Sequence, residues 1–351
     1  MHGITADGGW WPFDRFMAFA LYAPGHGYYA RGERIFGRLP GAGDGGSDFV
    51  TAPELSPLFA QALAAQVAQA LQATGTDEVW EFGAGSGALA AGLLQALGGR
   101  GRRYHVVDLS GGLQARQRER LAAFGGRVEW HAELPARIDG VVVGNEVLDA
   151  MPVKLLRFDG EAWLERGVAV AGDALAWADR PTALRPPVDA PFVPGTVTEV
   201  HPQALAWVRT LAGVLGRGAA FLIDYGFPEH EYWLPQRSGG TLMCHRAHRA
   251  DADPLADVGE KDITAHVDFT GIAVAGQEAG LEVLGYTSQA RFLLNCGLVP
   301  LLETADLPAR AMAQKLIHEH EMGELFKVIG FVKGPWFDAL GFAEGDRSHR
   351  L

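Results

Sequence analysis

Residues 79–97 read VWEFGAGSGALAAGLLQAL: an apolar run, a turn with glycine at every second position, and a stretch rich in Ala and Leu. This segment narrows the possible folds more than any other. A short apolar run that feeds through glycines directly into a helix is the opening of a βαβ unit. The pattern then repeats. YHVVD (104–108) predicts a second strand, Leu113 to Phe124 a helix, Val128 to His131 a strand and Gly140 to Val143 another. Strands alternating with helices imply a parallel sheet with right-handed crossovers, an α/β fold. Further on, His201 to Leu215 predicts a helix, Ala219 to Asp224 a central strand and Asp268 to Ala279 a helix. Leu281 to Thr287 and Phe326 to Val332 are expected as antiparallel edge strands.

Two regions break the rhythm. Residues 12–23 predict a short amphipathic helix, Arg31 to Ser47 a Gly-rich loop, and 54–73 a helix with Ser56 as N-cap and Pro57 as first helical residue. Between 153 and 200, apolar and polar residues alternate around Asp159-Gly160 and Gly172-Asp173, which is hairpin chemistry. The expected organisation is an N-terminal helical extension and lid over 1–75. A core follows over 76–351, interrupted by a small β insertion near 153–200.

The glycine turn suggests a ligand. Glycines at 83, 85 and 87 let a small molecule approach the backbone, and the helix start offers free N–H groups. A dinucleotide site would place a third glycine at position 88, which is Ala, and would not welcome Glu81 beside a pyrophosphate. That spacing suits an adenosyl ligand with an amino-acid tail, whose ammonium Glu81 would favour. Asp108 ends the next strand, with Leu109 beside it, where an acid can accept both ribose hydroxyls. S-adenosyl-L-methionine carries that ribose, an ammonium and a sulfonium.

The run VVVGNEVLDAMPV (141–153) ends a strand in an amide and two carboxylates. Ligands of an open parallel sheet bind beyond the carboxyl ends of its strands, so Asn145, Glu146 and Asp149 should reach the same rim as Gly83, Gly85 and Gly87. A carboxylate pair there can grip a guanidinium by bidentate hydrogen bonds. Glu146 is the first candidate for the acceptor side, with Asp149 and Asp224 behind it. The plainer alternative is a helix cap, with Asn145 as N-cap and the two acids in the first turn. Thr51 and Glu54, with Tyr28 and Tyr29, could close over the cofactor, or Thr51 and Glu54 could simply cap the helix that follows. His245, His248, His266 and the polar run Asp262, Thr264, Asp268 are further candidates whose part is open.

Composition excludes several classes. The formal net charge is -12, and the densest basic run, RQRER (116–120), reads as one solvated helix face, so no nucleic-acid partner is expected. No apolar run approaches the ~20 residues that span a bilayer. Cys244 and Cys296 have no metal-ligand spacing and no HExxH occurs, so no metal site is expected. The start, MHGITADGGWW, lacks the basic and apolar segments of a signal peptide, which points to the cytoplasm.

The chain resembles the MidA-like methyltransferases. The matching segments are LYAPGHGYY (21–29), DFVTAPELSPLF (48–59), EFGAGSGAL (81–89), GNEVLDAMPV (144–153), LIDYGF (222–227), GTLMCHRAH (240–248), DITAHVDFT (262–270) and MGELFKVI (322–329), in the family's order. The family includes a mitochondrial complex I assembly methyltransferase that modifies an arginine. The resemblance implies a Rossmann-like class I core, a cofactor site at Gly83, Gly85 and Asp108 with Asn145 and Glu146 nearby, and a protein-arginine acceptor. A homodimer is compatible with it. Two departures stand out: the long loop 31–47, and Asp108 where the family often has Glu. A non-catalytic assembly factor on this fold and a nicotinamide-dependent oxidoreductase are the rival readings.

Overall fold

The computed structural model describes residues 1–30, 51–108, 110–246 and 249–351. The chain begins with α1 (His2–Ala6), β1 (Trp10–Pro12) and α2 (Phe13–Tyr22). In α2, Phe13, Phe16, Met17, Ala20 and Leu21 recur at helical spacing and are all buried. Two helices follow, α3 (Ala52–Leu55) and α4 (Pro57–Thr74). Ser56 separates them. Its hydroxyl accepts the Leu58 N–H at 3.3 Å, and Pro57 occupies the position where a missing N–H is harmless.

The core then alternates as expected: β2 (Glu78–Phe82), α5 (Ala88–Leu97), β3 (Arg103–Val107), α6 (Gly111–Arg120), β4 (Val128–His131) and β5 (Ile138–Asn145). These strands pair in parallel, β4 on β3, β3 on β2 and β2 on β5. Successive residues face opposite sides. Val141 and Val143 join the core under α4 and α5, and Val142 joins the core on the other face.

The β insertion comprises β6 (Lys154–Phe158), β7 (Trp163–Ala171), β8 (Ala174–Pro181) and β9 (Val197–Val200), with hairpins at both expected turns. The core resumes with α7 (Pro202–Val214) and the long β10 (Leu215–Phe227). Then come α8 (Glu229–Tyr232), the short strands β11 (Met243–Arg246), β12 (Arg249–Asp251), β13 (Asp262–Thr264) and β14 (Val267–Asp268), and α9 (Phe269–Glu278). The end of the chain supplies β15 (Glu282–Ser288), α10 (Gln289–Asn295), α11 (Leu298–Thr304), α12 (Leu307–Ile317) and β16 (Phe326–Lys333).

The main sheet runs β15-β16-β10-β5-β2-β3-β4. Its sequential order reverses between β5 and β2, which is where a doubly wound sheet opens a crevice. β16 is antiparallel to both neighbours, so the edge strand β15 points the same way as the parallel strands. The reversal therefore sits one strand in from the edge. The insertion sheet runs β1-β7-β6-β9, and β1 pairs antiparallel with β7. The first 30 residues thus share a core with the insertion: Trp11, Phe13, Phe16 and Met17 pack with Val153, Leu155 and Val168. No described helix is long and apolar enough to cross a membrane.

Candidate active site

The loops after β2, β3 and β5 meet above the switch point. Gly83, Gly85 and Gly87 have φ of 64°, 52° and 81°, the left-handed region that favours glycine. Gly87 caps α5, leaving the N–H groups of that helix start directed outward. A side chain at position 83 would meet Val147 Cγ2 at 3.2 Å, so the glycine turn lies directly against the loop after β5.

Glu81 lies beneath this turn and is buried. Tyr104 donates its hydroxyl to Glu81 Oε2 at 2.6 Å. Burial, aided by Asp108, nevertheless pushes the Glu81 carboxyl up to about 7. A cation set beside it would restore the charge. Asp108 is also raised by burial. Its Oδ1 accepts the Ser110 N–H at 2.9 Å and its Oδ2 accepts from Gln117 Nε2 at 2.8 Å. Gln117 also donates to the Gly85 carbonyl at 3.0 Å, tying the ribose-side acid to the glycine turn. Gln117 is fully buried, although it lies in the run expected as one solvated face. In that run only Gln117 lacks a charge beyond Gln114 in the turn before, and that was the available signal. Leu109 lies outside the described residues.

The far wall is the end of β5. Residues 146–153 are turns and bends. No helix starts there, so the cap alternative for Asn145, Glu146 and Asp149 is overturned. Glu146 instead holds φ at 54°, a conformation that disfavours a side chain, while its N–H donates to Ile223 O at 2.9 Å. Asn145 Nδ2 donates to Glu146 Oε1 at 2.9 Å. Burial, with Asp149 second, pushes Glu146 up to about 8. Asp149 receives the Tyr225 hydroxyl on Oδ2, and burial raises it to about 6. The Oδ1 atoms of Asn145 and Asp149 are buried and have no hydrogen-bond partner among the described residues.

Asp224 has a different task. Its Oδ2 accepts three backbone N–H groups, from Val147 at 3.1 Å, Leu148 at 2.9 Å and Asp149 at 3.2 Å. The carboxyl near the end of β10 therefore collects this loop's N–H groups as an N-cap side chain collects those of a helix start. Burial, and then Asp149 and Glu146, hold its pKa well above the usual carboxylate range. None of Glu146, Asp149 and Asp224 has an ion-pair partner among the described residues.

Aromatic side chains close the site from the N-terminal segment. Tyr22 donates to Ala150 O at 2.9 Å and stacks on Tyr29 with ring centres 5.6 Å apart. Tyr29 donates to Asp262 Oδ1 at 2.9 Å, and Ser110 Oγ donates to the Tyr29 carbonyl at 2.9 Å. Tyr28 stands edge-on to Tyr29. The Tyr22 phenol is raised by burial first and then by Asp262, Asp149 and Asp108, so all three acids surround it. Tyr22 was legible only as part of an amphipathic helix. Glu54 accepts from Ser86 Oγ and from Arg120 Nη1, the latter at 2.9 Å, and fastens α3 to the glycine turn. Thr51 precedes α3, and its side chain makes no capping bond. His266 lies at the rim, its ring 5.2 Å from that of Tyr225 and its pKa lowered by burial to about 4. His245 lies on β11 in register with Ala250 on one side and Asp262 on the other, and burial lowers its pKa against the pull of Asp251. His248 lies outside the described residues, as does the loop 31–47.

The arrangement is an acidic chamber, with the glycine turn and Asp108 on one side and, on the other, Glu146, Asp149 and Asp224, whose pKa values burial raises. Such acids are stabilised by an incoming cation. Comparison with known proteins gives the same chemistry. Residues 62–287 match a family described as "Putative S-adenosyl-L-methionine-dependent methyltransferase". A solved structure from Burkholderia thailandensis with bound S-adenosyl-homocysteine is 54% identical, with a TM-score of 0.94 over 100% of this chain and 95% of that one. A second structure from the same organism is 52% identical, with a TM-score of 0.91 over 100% and 94%. The mitochondrial protein arginine methyltransferase NDUFAF7 of Xenopus tropicalis is 27% identical over 90% of this chain and 81% of that protein. The human protein of the same name is 26% identical over 88% and 75%.

Proposed function

Because the chain belongs to this family of S-adenosyl-L-methionine-dependent methyltransferases, we propose that it methylates a protein arginine side chain, held by Glu146 and Asp149. The observation that carries this reading is the pair of buried, unpartnered acceptors, Asn145 Oδ1 and Asp149 Oδ1, set beside two carboxyls with no cationic partner among the described residues. A guanidinium offers five N–H donors in a fixed fork and fits such a wall. Relatives named as protein arginine methyltransferases support the same acceptor.

The cofactor supplies a methyl group already activated on a sulfonium, and the residues present fit it. Three left-handed glycines leave its approach clear of side chains. Asp108 has lone pairs free for ribose hydroxyls, and Glu81 would hold the ammonium. The protein's main task is then positioning. Glu146 and Asp149 align the acceptor nitrogen and offset the positive charge that grows on it. An arginine, with a pKa above ~12, cannot lose its proton beforehand. Proton loss accompanies or follows attack, with Glu146 or Asp149 receiving it. Asp224 positions both by fixing the loop. Tyr22, Tyr29 and Asp262 narrow the acceptor side.

Transfer of radiolabelled methyl groups into a lysate, followed by mass spectrometry of the labelled protein, tests the acceptor. Label on an arginine is the expected result, and label on another side chain would overturn the arginine assignment. The identity of the labelled protein tests the wider reading, a role in assembling a respiratory complex. A chain that binds cofactor and partner but transfers nothing would favour the assembly-factor reading.

A further inference from the structure

We propose that His105, Glu129 and His131 form a binding site for one zinc-type divalent cation, on the sheet edge away from the acceptor chamber. The ligands come from two neighbouring strands. Trp80, His105 and Glu129 are in register across β2, β3 and β4. His131 is two residues beyond Glu129, so it shares that face. One ligand atom from each residue of the trio can be chosen so that all lie within 4.8 Å of one another. His105 Nδ1 is 3.0 Å from His131 Nε2 and 3.7 Å from Glu129 Oε2. Ligands of a tetrahedral zinc are about 3.3 Å apart, given bonds near 2.0–2.1 Å. The spread closes through side-chain rotation of Glu129 and His131, both partly exposed.

The surroundings favour a metal over a simple pair of histidines. His105 is buried and stacked on Trp80 with ring centres 3.8 Å apart, which fixes its plane. Its other nitrogen, the buried Nε2, lies 3.5 Å from Glu78 Oε2. Zinc-bound histidines characteristically direct their second nitrogen to a carboxylate. Arg103 occupies Glu129 Oε1 at 3.0 Å and leaves Oε2 for the ion. Two imidazoles and one carboxylate select zinc, nickel, copper or cobalt over magnesium or calcium, and three protein ligands leave a position for water. The site is reached from solvent on the side of Glu129, whose side chain is 41% exposed, and of the partly exposed His131. Sequence spacing does not reveal the trio, since its ligands meet only across strands. The His131 carbonyl also accepts the Asp108 N–H at 3.1 Å, so an ion here would stiffen the strand end that holds the ribose-side acid.

The test is calorimetric titration of zinc chloride into tag-free protein stripped with EDTA. The expected result is one ion per chain, weakened at least tenfold by His131→Gln and by Glu129→Gln, and about tenfold by Glu78→Gln. Melting in EDTA confirms that each variant is folded. Visible absorption of a tetrahedral cobalt(II) ion should appear with the parent protein and vanish with His131→Gln. His318 and His320 form another imidazole pair, with ring centres 5.8 Å apart. The double variant His318→Gln/His320→Gln should bind as the parent does. Absence of saturable binding, or unchanged binding in the His131 and Glu129 variants, would overturn the proposal.

Discussion

Single side chains decide the chemistry, and Glu146 is the most exposed to test. Glu146→Gln should lower kcat by roughly 100-fold or more while leaving S-adenosyl-L-methionine affinity within a few-fold. Equal losses in both, measured by calorimetry and methyl-transfer rates, would remove it from the acceptor side. The ionised form is the useful one, so kcat/KM should rise with pH and level off above about 8. The limb in kcat should lie at lower pH, because a bound guanidinium favours the carboxylate. Glu81 makes the opposite demand on the fold. Its carboxyl moves from 4.5 to about 7 on folding, so the native state binds the extra proton across that window. Stability is therefore present below pH 4.5 and falls as pH rises to about 7. Glu81→Gln should make the cofactor-free protein more stable at pH 8, on the order of 3 kcal/mol, while weakening cofactor binding. Denaturant titration at pH 5 and pH 8 checks the sign. The glycines, Asp108, Asn145 and Glu146 were legible because each follows an apolar strand. Gln117, Tyr22 and the Asp262–Tyr29 contact depend on tertiary placement. Local pattern makes Gln117 a surface residue, and nothing nearby in the sequence says what an amphipathic helix faces.

At the scale of elements, the loop after β5 takes its shape from another strand. Asp224 on β10 collects three of its N–H groups. Asp224→Ala should cost about 2–3 kcal/mol of stability and lower kcat, through misplacement of Glu146 and Asp149. Loss of activity with unchanged stability in urea would instead put Asp224 in the chemistry itself. Strands and helices of the core were readable to within a few residues, because periodicity is strongest where a segment is buried on one face. The missing helix after β5 was not readable, since Asn followed by two acids suits a helix start equally well. Only Asp224, seventy-five positions beyond Asp149, settles the competition. Strand direction was also partly hidden. Glu282–Ser288 and Phe326–Lys333 look alike as apolar runs, and only pairing shows that β16 alone is reversed.

For the whole molecule, bound cofactor is itself a lever on stability. At about 100 times its Kd, S-adenosyl-L-methionine or its demethylated product should add about 2.7 kcal/mol and raise Tm by a few degrees. A nicotinamide dinucleotide should leave Tm unchanged, and a comparable shift with it would revive the oxidoreductase reading. The extension and the insertion expected from the sequence give no sign there of joining, because β1, which links them, is a three-residue strand. That junction governs the order in which the protein can fold as it is made. Trp10 pairs with Ala169, and Trp11 with Val168, so the earliest residues have no partner until nearly half the chain has been synthesised. At about 5–20 residues per second, that interval is roughly ten to thirty seconds. Throughout it, Trp11, Phe13, Phe16 and Met17 stand on a nascent chain with their apolar surfaces unclaimed. The N-terminal segment is thus where a chaperone working at the ribosome would find its client, and slowed elongation before residue 169 would lengthen that exposure.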